Sequence, residues 1–120
     1  MKIAISAQGP DMNSQVDPRF GRAAYFIIYD TAGNAFEVLQ NTENAAAAQG
    51  AGIQAAQLVA NQAVDIVVSG NMGPKAFDAL RAAGIRMVAW EKGTVAEAVE
   101  LVRNGKFSDM DTANVRGHWR

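Results

Sequence analysis

Three cations stand beside glycine-rich turns in this sequence. Arg19 and Arg22 lie in Val16-Asp17-Pro18-Arg19-Phe20-Gly21-Arg22, and Lys75 follows Gly70-Asn71-Met72-Gly73-Pro74. Guanidinium and ammonium groups beside backbone N–H groups that glycine leaves open are suited to binding an anion. The Gly70 to Gly73 spacing alone is a weak signal, since it lacks the Gly-Lys-Ser/Thr ending of a nucleotide loop. Met12 and Met72 fall in the same two stretches, where thioether sulfur could touch copper(I) or a sulfide surface. The plainer use of both is to fill gaps beneath the loops.

Catalytic sets are hard to assemble. Cysteine is absent, which removes thiolate zinc sites and cysteine-ligated iron–sulfur clusters. His118 is the sole imidazole and has no evident orienting partner, so Ser6 and Ser69, expected to end adjacent strands, gain no activating base. A two-metal nuclease needs converging carboxylates, yet Asp65 opens its strand instead of closing it. No acid–base pair for small-molecule chemistry emerges, and the chain reads as a non-enzyme.

The elements that must position these residues follow from pattern. A chain of 120 residues, 49% hydrophobic, implies one compact domain. Eleven Lys and Arg against twelve Asp and Glu give a net charge of -1, too little clustered positive charge for nucleic acid binding by bulk electrostatics. No apolar run is long enough for a membrane span or a signal peptide, so neither a membrane nor export is expected and the compartment reads as cytoplasmic.

Residues 2–7 predict a strand, 8–22 a long loop, and 23–30 with 35–40 a hairpin turning at Thr31-Ala32-Gly33-Asn34. A connection through an alanine run leads to a helix ending near Gln62. Residues 64–69 form a buried strand, Pro74 opens a helix closed by Gly84, and 85–90 form the next strand. Thr94 and Glu97 make a capping box for the last helix, which stops at Asn104-Gly105. The expected domain covers residues 1–107, and residues 108–120 form a polar tail read as frayed.

Right-handed crossovers arrange these elements as an α/β, three-layer, ribonuclease H-like fold. Its mixed five-stranded sheet has order 3-2-1-4-5, with strand two antiparallel and helices on both faces. The connections leaving strands one and four diverge, so a crevice opens at their carboxyl ends. Arg19, Phe20, Gly21 and Arg22 are expected on one rim and Gly70, Asn71, Gly73 and Lys75 on the other, with backbone donors from the second turn. Met12 and Met72 are expected beside the same crevice.

Four ordered segments resemble the dinitrogenase iron-molybdenum cofactor biosynthesis family. They are Met1 to Ser6 with Val16 to Phe26, Gly50-Ala51-Gly52-Ile53-Gln54-Ala55-Ala56, Ser69 to Phe77, and Gly93-Thr94-Val95-Ala96-Glu97-Ala98-Val99. The resemblance implies small carriers or chaperones of metal–sulfur clusters on the fold just described. Cofactor-carrying members commonly place His before the Phe-Gly of the first-loop motif, where this chain has Arg19. An imidazole–metal bond is therefore excluded at that position, whereas guanidinium attraction to an anionic sulfide cluster is not.

The orange-protein branch, whose members hold a molybdenum–copper sulfide cluster non-covalently, is the nearest likeness. The expected cargo is such a cluster, ahead of the iron–molybdenum cofactor or a precursor, with an unidentified recipient or delivery protein as partner. The alternative is a metal-free interaction or regulatory adaptor that docks through Phe107, His118 and Trp119. His118 as a copper ligand has no supporting spacing.

Overall fold

The computed structural model describes residues 1–110 and Ala113. Its strands are β1 (Lys2–Ala7), β2 (Tyr25–Asp30), β3 (Ala35–Gln40), β4 (Ile66–Ser69) and β5 (Arg86–Ala89). The helices are α1 (Thr42–Ala45), α2 (Ala51–Ala60), α3 (Pro74–Ala82) and α4 (Val95–Arg103). The sheet order is β3-β2-β1-β4-β5, with β2 antiparallel to β1 and β3 and with β4 parallel to β1 and β5. This is the ribonuclease H-like arrangement expected from the element order. Only the four-residue α1 was unforeseen, lying where a plain connection was expected.

Alternation along β1 divides the core into two layers. Ala4 faces one cluster with Phe20, Phe26, Val67 and the apolar stripes of α2 and α3, Ala55, Val59, Phe77 and Leu80 among them. Ile3, Ile5 and Ala7 face the other, with Val68, Val88 and the α4 residues Val95, Ala98, Val99 and Val102. Continuous burial of β1 and β4 follows from helices covering both faces of central parallel strands.

The long first loop is tied down along its length. The Asp17 N–H donates to the Ser6 carbonyl at 2.8 Å and the Val16 N–H to the Gly93 carbonyl at 2.9 Å. Its first half seals the start of α4, where Val95 and Ala96 donate to the Ser14 and Met12 carbonyls and Glu97 to the Thr94 hydroxyl. The expected capping box is present. Every first-turn N–H of α4 is thereby satisfied by the protein itself.

Ser6 and Ser69 are buried at the ends of β1 and β4, with 2.8 Å between their Oγ atoms and 2.8 Å from Ser6 Oγ to the Asp17 carbonyl. One hydroxyl has one proton, so Ser6 donates to the carbonyl and accepts from Ser69. The pair joins two strands to the loop.

The tail departs from expectation at its start. The Met110 N–H donates to the Met87 carbonyl at 2.7 Å, Asp109 pairs with Arg86 at 3.0 Å, and the Arg86 guanidinium lies 5.1 Å from the centre of the Phe107 ring. Met110 and Ala113 pack on the α2/α3 side. Local pairing with β5, invisible in the polar composition of the segment, holds residues 107–110 across the edge of the sheet. His118 and Trp119 lie outside the described residues.

Replacing Ser6 with Ala would leave the Asp17 carbonyl and Ser69 hydroxyl without their buried partner. We expect a loss of about 1–3 kcal/mol in urea unfolding, with the circular dichroism of the folded state unchanged; unaltered stability would show that water replaces the hydroxyl.

Candidate functional site

The second half of the first loop runs alongside the β4–α3 turn as a one-residue parallel bridge between Arg19 and Asn71. The Asn71 N–H donates to the Pro18 carbonyl at 2.6 Å, and the Phe20 N–H donates back to the Asn71 carbonyl at 3.0 Å. Gly70 permits this approach, because a Cβ there would stand 2.7 Å from both the Cα and the carbonyl oxygen of Pro18. Gly21 serves the same purpose against α2, where a Cβ would lie 2.8 Å from the Gly52 Cα and 2.9 Å from its nitrogen. Neither contact tolerates a methyl group without backbone movement.

The three segments enclose a cleft of about 730 Å³ lined by Arg19, Phe20, Gly21 and Arg22, by residues 50–53, and by Asn71 with residues 73–76. Its charged lining residues are Arg19, Arg22 and Lys75, with no carboxylate among them. Both rims of the expected crevice therefore meet, and a third wall joins them.

That third wall, the start of α2, was missed as part of the site. Gly50 is its N-cap, at φ 76 in the left-handed region, and no side chain caps the helix. The N-cap of α3, Gly73, likewise supplies no side-chain cap. Within α2 the Gln54 N–H is the first to reach a helical carbonyl, that of Gly50. Two helix ends with their positive dipoles thus open on one cleft, in contrast to the sealed end of α4. The signal in the sequence was Gly50-Ala51-Gly52 ahead of an apolar stripe, but backbone donors have no side-chain signature.

The three cations differ in their attachments. Arg19 is 63% exposed, with Nε 3.4 Å from an oxygen of the buried Asp17, a carboxylate that also accepts the Arg19 backbone N–H at 2.9 Å. The Arg22 Nη1 donates to the Ala45 and Ala47 carbonyls at 2.8 and 2.6 Å. Lys75 is exposed on the first turn of α3 and makes no ion pair with the described residues.

Three expected contributors are placed differently from expectation. The Phe20 ring is 1% exposed and tilts against Phe26 at 5.0 Å between centroids, so Phe20 meets the cleft as part of its floor. Gly70 is not among the residues lining the cleft, and the backbone N–H of Asn71 is occupied by the Pro18 carbonyl. Both are corrections to the expected donors, and the backbone facing the cleft is instead that of residues 50–53 and 73–76.

The methionines are corrected too. Met72 is 2% exposed within the α2/α3 core, whereas Met12 packs against the α4 cluster on the other face of the sheet. Neither borders the cleft, because loop membership does not determine which side of a sheet a side chain enters. Among the described residues no group of three or more His, Cys, Asp or Glu could hold a metal ion, and no helix is long and apolar enough to cross a membrane.

Asn41, also missed, is 1% exposed. Its amide donates to the Ala23 carbonyl at 2.7 Å and the Gly21 carbonyl at 3.3 Å, fixing the end of the first loop to the chain that leads into α1.

The model of the dinitrogenase iron-molybdenum cofactor family matches residues 1–105. The chain belongs to that family. The apo form of the orange protein from Desulfovibrio gigas superposes with a TM-score of 0.92 at 41% identity, covering 95% of this chain and 96% of that one. A Thermotoga protein of the DUF35 family, solved by NMR, matches at 38% identity and a TM-score of 0.83, over 95% and 97% of the two chains. An uncharacterized protein of Methanocaldococcus jannaschii is 29% identical over 113 residues, 92% of each chain. These relatives place the chain in a cofactor-related family on the same fold.

The Gly21 contact yields a test of the cleft's construction. Gly21→Ala must push the loop away from Gly52, and we expect a cost of about 1–3 kcal/mol in chemical denaturation. Amide resonances of residues 51–53 should shift while those of α4 stay in place. Wild-type stability and spectra would mean that the loop does not need this approach.

Proposed function

We propose that the protein is a carrier that holds an anionic metal–sulfur cluster, of the molybdenum–copper sulfide type, non-covalently in the cleft. The observation that carries this reading is a concave site with Arg19 and Lys75 on its rims, two helix ends lacking side-chain caps, and no carboxylate among its lining residues. Family membership and 41% identity to the orange protein point to the same cargo class. A cluster that brings its own sulfide ligands needs no thiolate from a chain that lacks cysteine. It needs charge compensation, N–H donors and a polarizable contact surface, which Ile53, Pro74 and the floor above Phe20 supply.

The residues at the site divide the work. Arg19 and Lys75 draw the anion in from opposite rims, since attraction between exposed charges reaches about 8 Å at physiological ionic strength. The first turn of α2 and the Gly73–Pro74 entrance to α3 meet the cluster's surface atoms with their positive ends. Retention without a covalent metal–protein bond leaves the cargo transferable to a recipient protein. The iron–molybdenum cofactor or a precursor is the lesser candidate, because Arg19 stands where an imidazole would bind metal. Carriage of a preformed cluster calls for no acid–base or nucleophilic step by this chain.

Titration with tetrathiomolybdate and copper(I) should produce a protein-bound charge-transfer band. Lys75→Glu should weaken the titration about tenfold, and added salt should weaken the wild type. Equal affinity of wild type, Lys75→Glu and Arg19→Glu would overturn the electrostatic account, and a purified protein that takes up no cluster but retains a protein partner would favour the metal-free adaptor.

A further inference from the structure

Arg22 has the same formal charge as Arg19 and Lys75 but a different attachment. Its Nη1 lies 2.8 Å from the Ala45 carbonyl and 2.6 Å from that of Ala47, contacts that cross 23 and 25 residues of sequence. Ala45 is the last residue of α1, a helix with no buried residue and no basic side chain in its last turn. With nothing in the core to hold it, α1 needs outside partners for its terminal carbonyls. Ala46, Ala48, Gln49 and Gly50 are exposed, so the chain leading into α2 draws little support from packing.

The neighbouring residue completes the joint. Gly21 presses its backbone on Gly52 in the first turn of α2, while Arg22 grips the chain ahead of Gly50, the left-handed N-cap of that helix. Residues 21 and 22 thus hold the start of α2 from both sides of its cap. We infer that Arg22 is a positioning residue: its guanidinium pins the α1–α2 connection and so aims the N-terminal end of α2 into the cleft, instead of serving as a charge offered to the cargo. This inference rests on the cleft being the cargo site.

Charge and pinning make different demands at position 22. Charge is preserved by lysine. Pinning is not, because the shorter and more strongly hydrated ammonium loses the reach and planar geometry of the guanidinium.

The test compares Arg22→Lys, Arg22→Gln and Lys75→Gln, each checked for a wild-type melting transition. Amide hydrogen exchange of residues 45–53 is measured on the unloaded protein, and tetrathiomolybdate with copper(I) is the titrated probe. Both Arg22 variants should raise exchange in this segment about tenfold and weaken the titration to a similar degree. The bound band of Arg22→Lys should also move, since its α2 end no longer faces the probe as before. Lys75→Gln should weaken the titration and leave exchange unchanged.

Wild-type exchange and affinity in Arg22→Lys, with affinity lost in Arg22→Gln, would overturn the inference in favour of simple charge. If the wild-type protein takes up no probe while both Arg22 variants loosen residues 45–53, the cargo reading fails and the pinning role stands.

Discussion

The Pro18 carbonyl accepting the Asn71 N–H, and the Asn71 carbonyl accepting the Phe20 N–H, join two loops that leave neighbouring strands in different directions. In an open sheet such loops diverge, and the space between them is where ligands bind. Here they touch at one residue pair and separate beyond it, so the site has a defined closed end and an open mouth. Gly70 and Gly21 make that geometry possible by omitting side chains at two backbone crossings. The serine pair and Asp17 fix the same loop from below, which makes the cationic rim part of the core's edge.

Electrostatics then follows from what the elements leave unused. Helix α4 spends its first-turn donors on Ser14, Met12 and Thr94, while α2 and α3 begin at glycines without side-chain caps. The difference between a sealed and an open helix end is a choice of N-cap residue and of loop path, not of helix composition. A cleft with cations on its walls and no carboxylate repels hydrated metal ions and attracts anions.

Much of the fold was legible because the apolar segments around Ile3, Ile66 and Met87 are short, bounded by turn residues and separated by helical stripes. Strand order followed from crossover handedness, and strand order located the crevice with Arg19 and Lys75 on its rims. What could not be read was carried by backbone atoms or by long-range partners. The start of α2 contributes through its main chain, so Ala51 and Gly52, noted only within a family-like segment, were not among the expected site residues. Arg22 looked like a free cation because its carbonyl partners lie in an alanine run with no chemistry of its own. Met72 and Met12 showed that a residue in a rim loop can still point into either core layer, a decision made by packing.

The two margins of the sheet are unequal. Residues 107–110 cross β5, where Met110 takes the Met87 carbonyl, whereas β3 lies at the opposite end of the sheet and shows Phe36 and Val38 to solvent. A segment laid across an outer strand occupies backbone groups that would otherwise be free to pair with another chain, and the Met87 carbonyl is one so occupied. Residues 107–110 thereby blunt that flank of the sheet at Met87, on a strand that contributes nothing to the lining of the cleft.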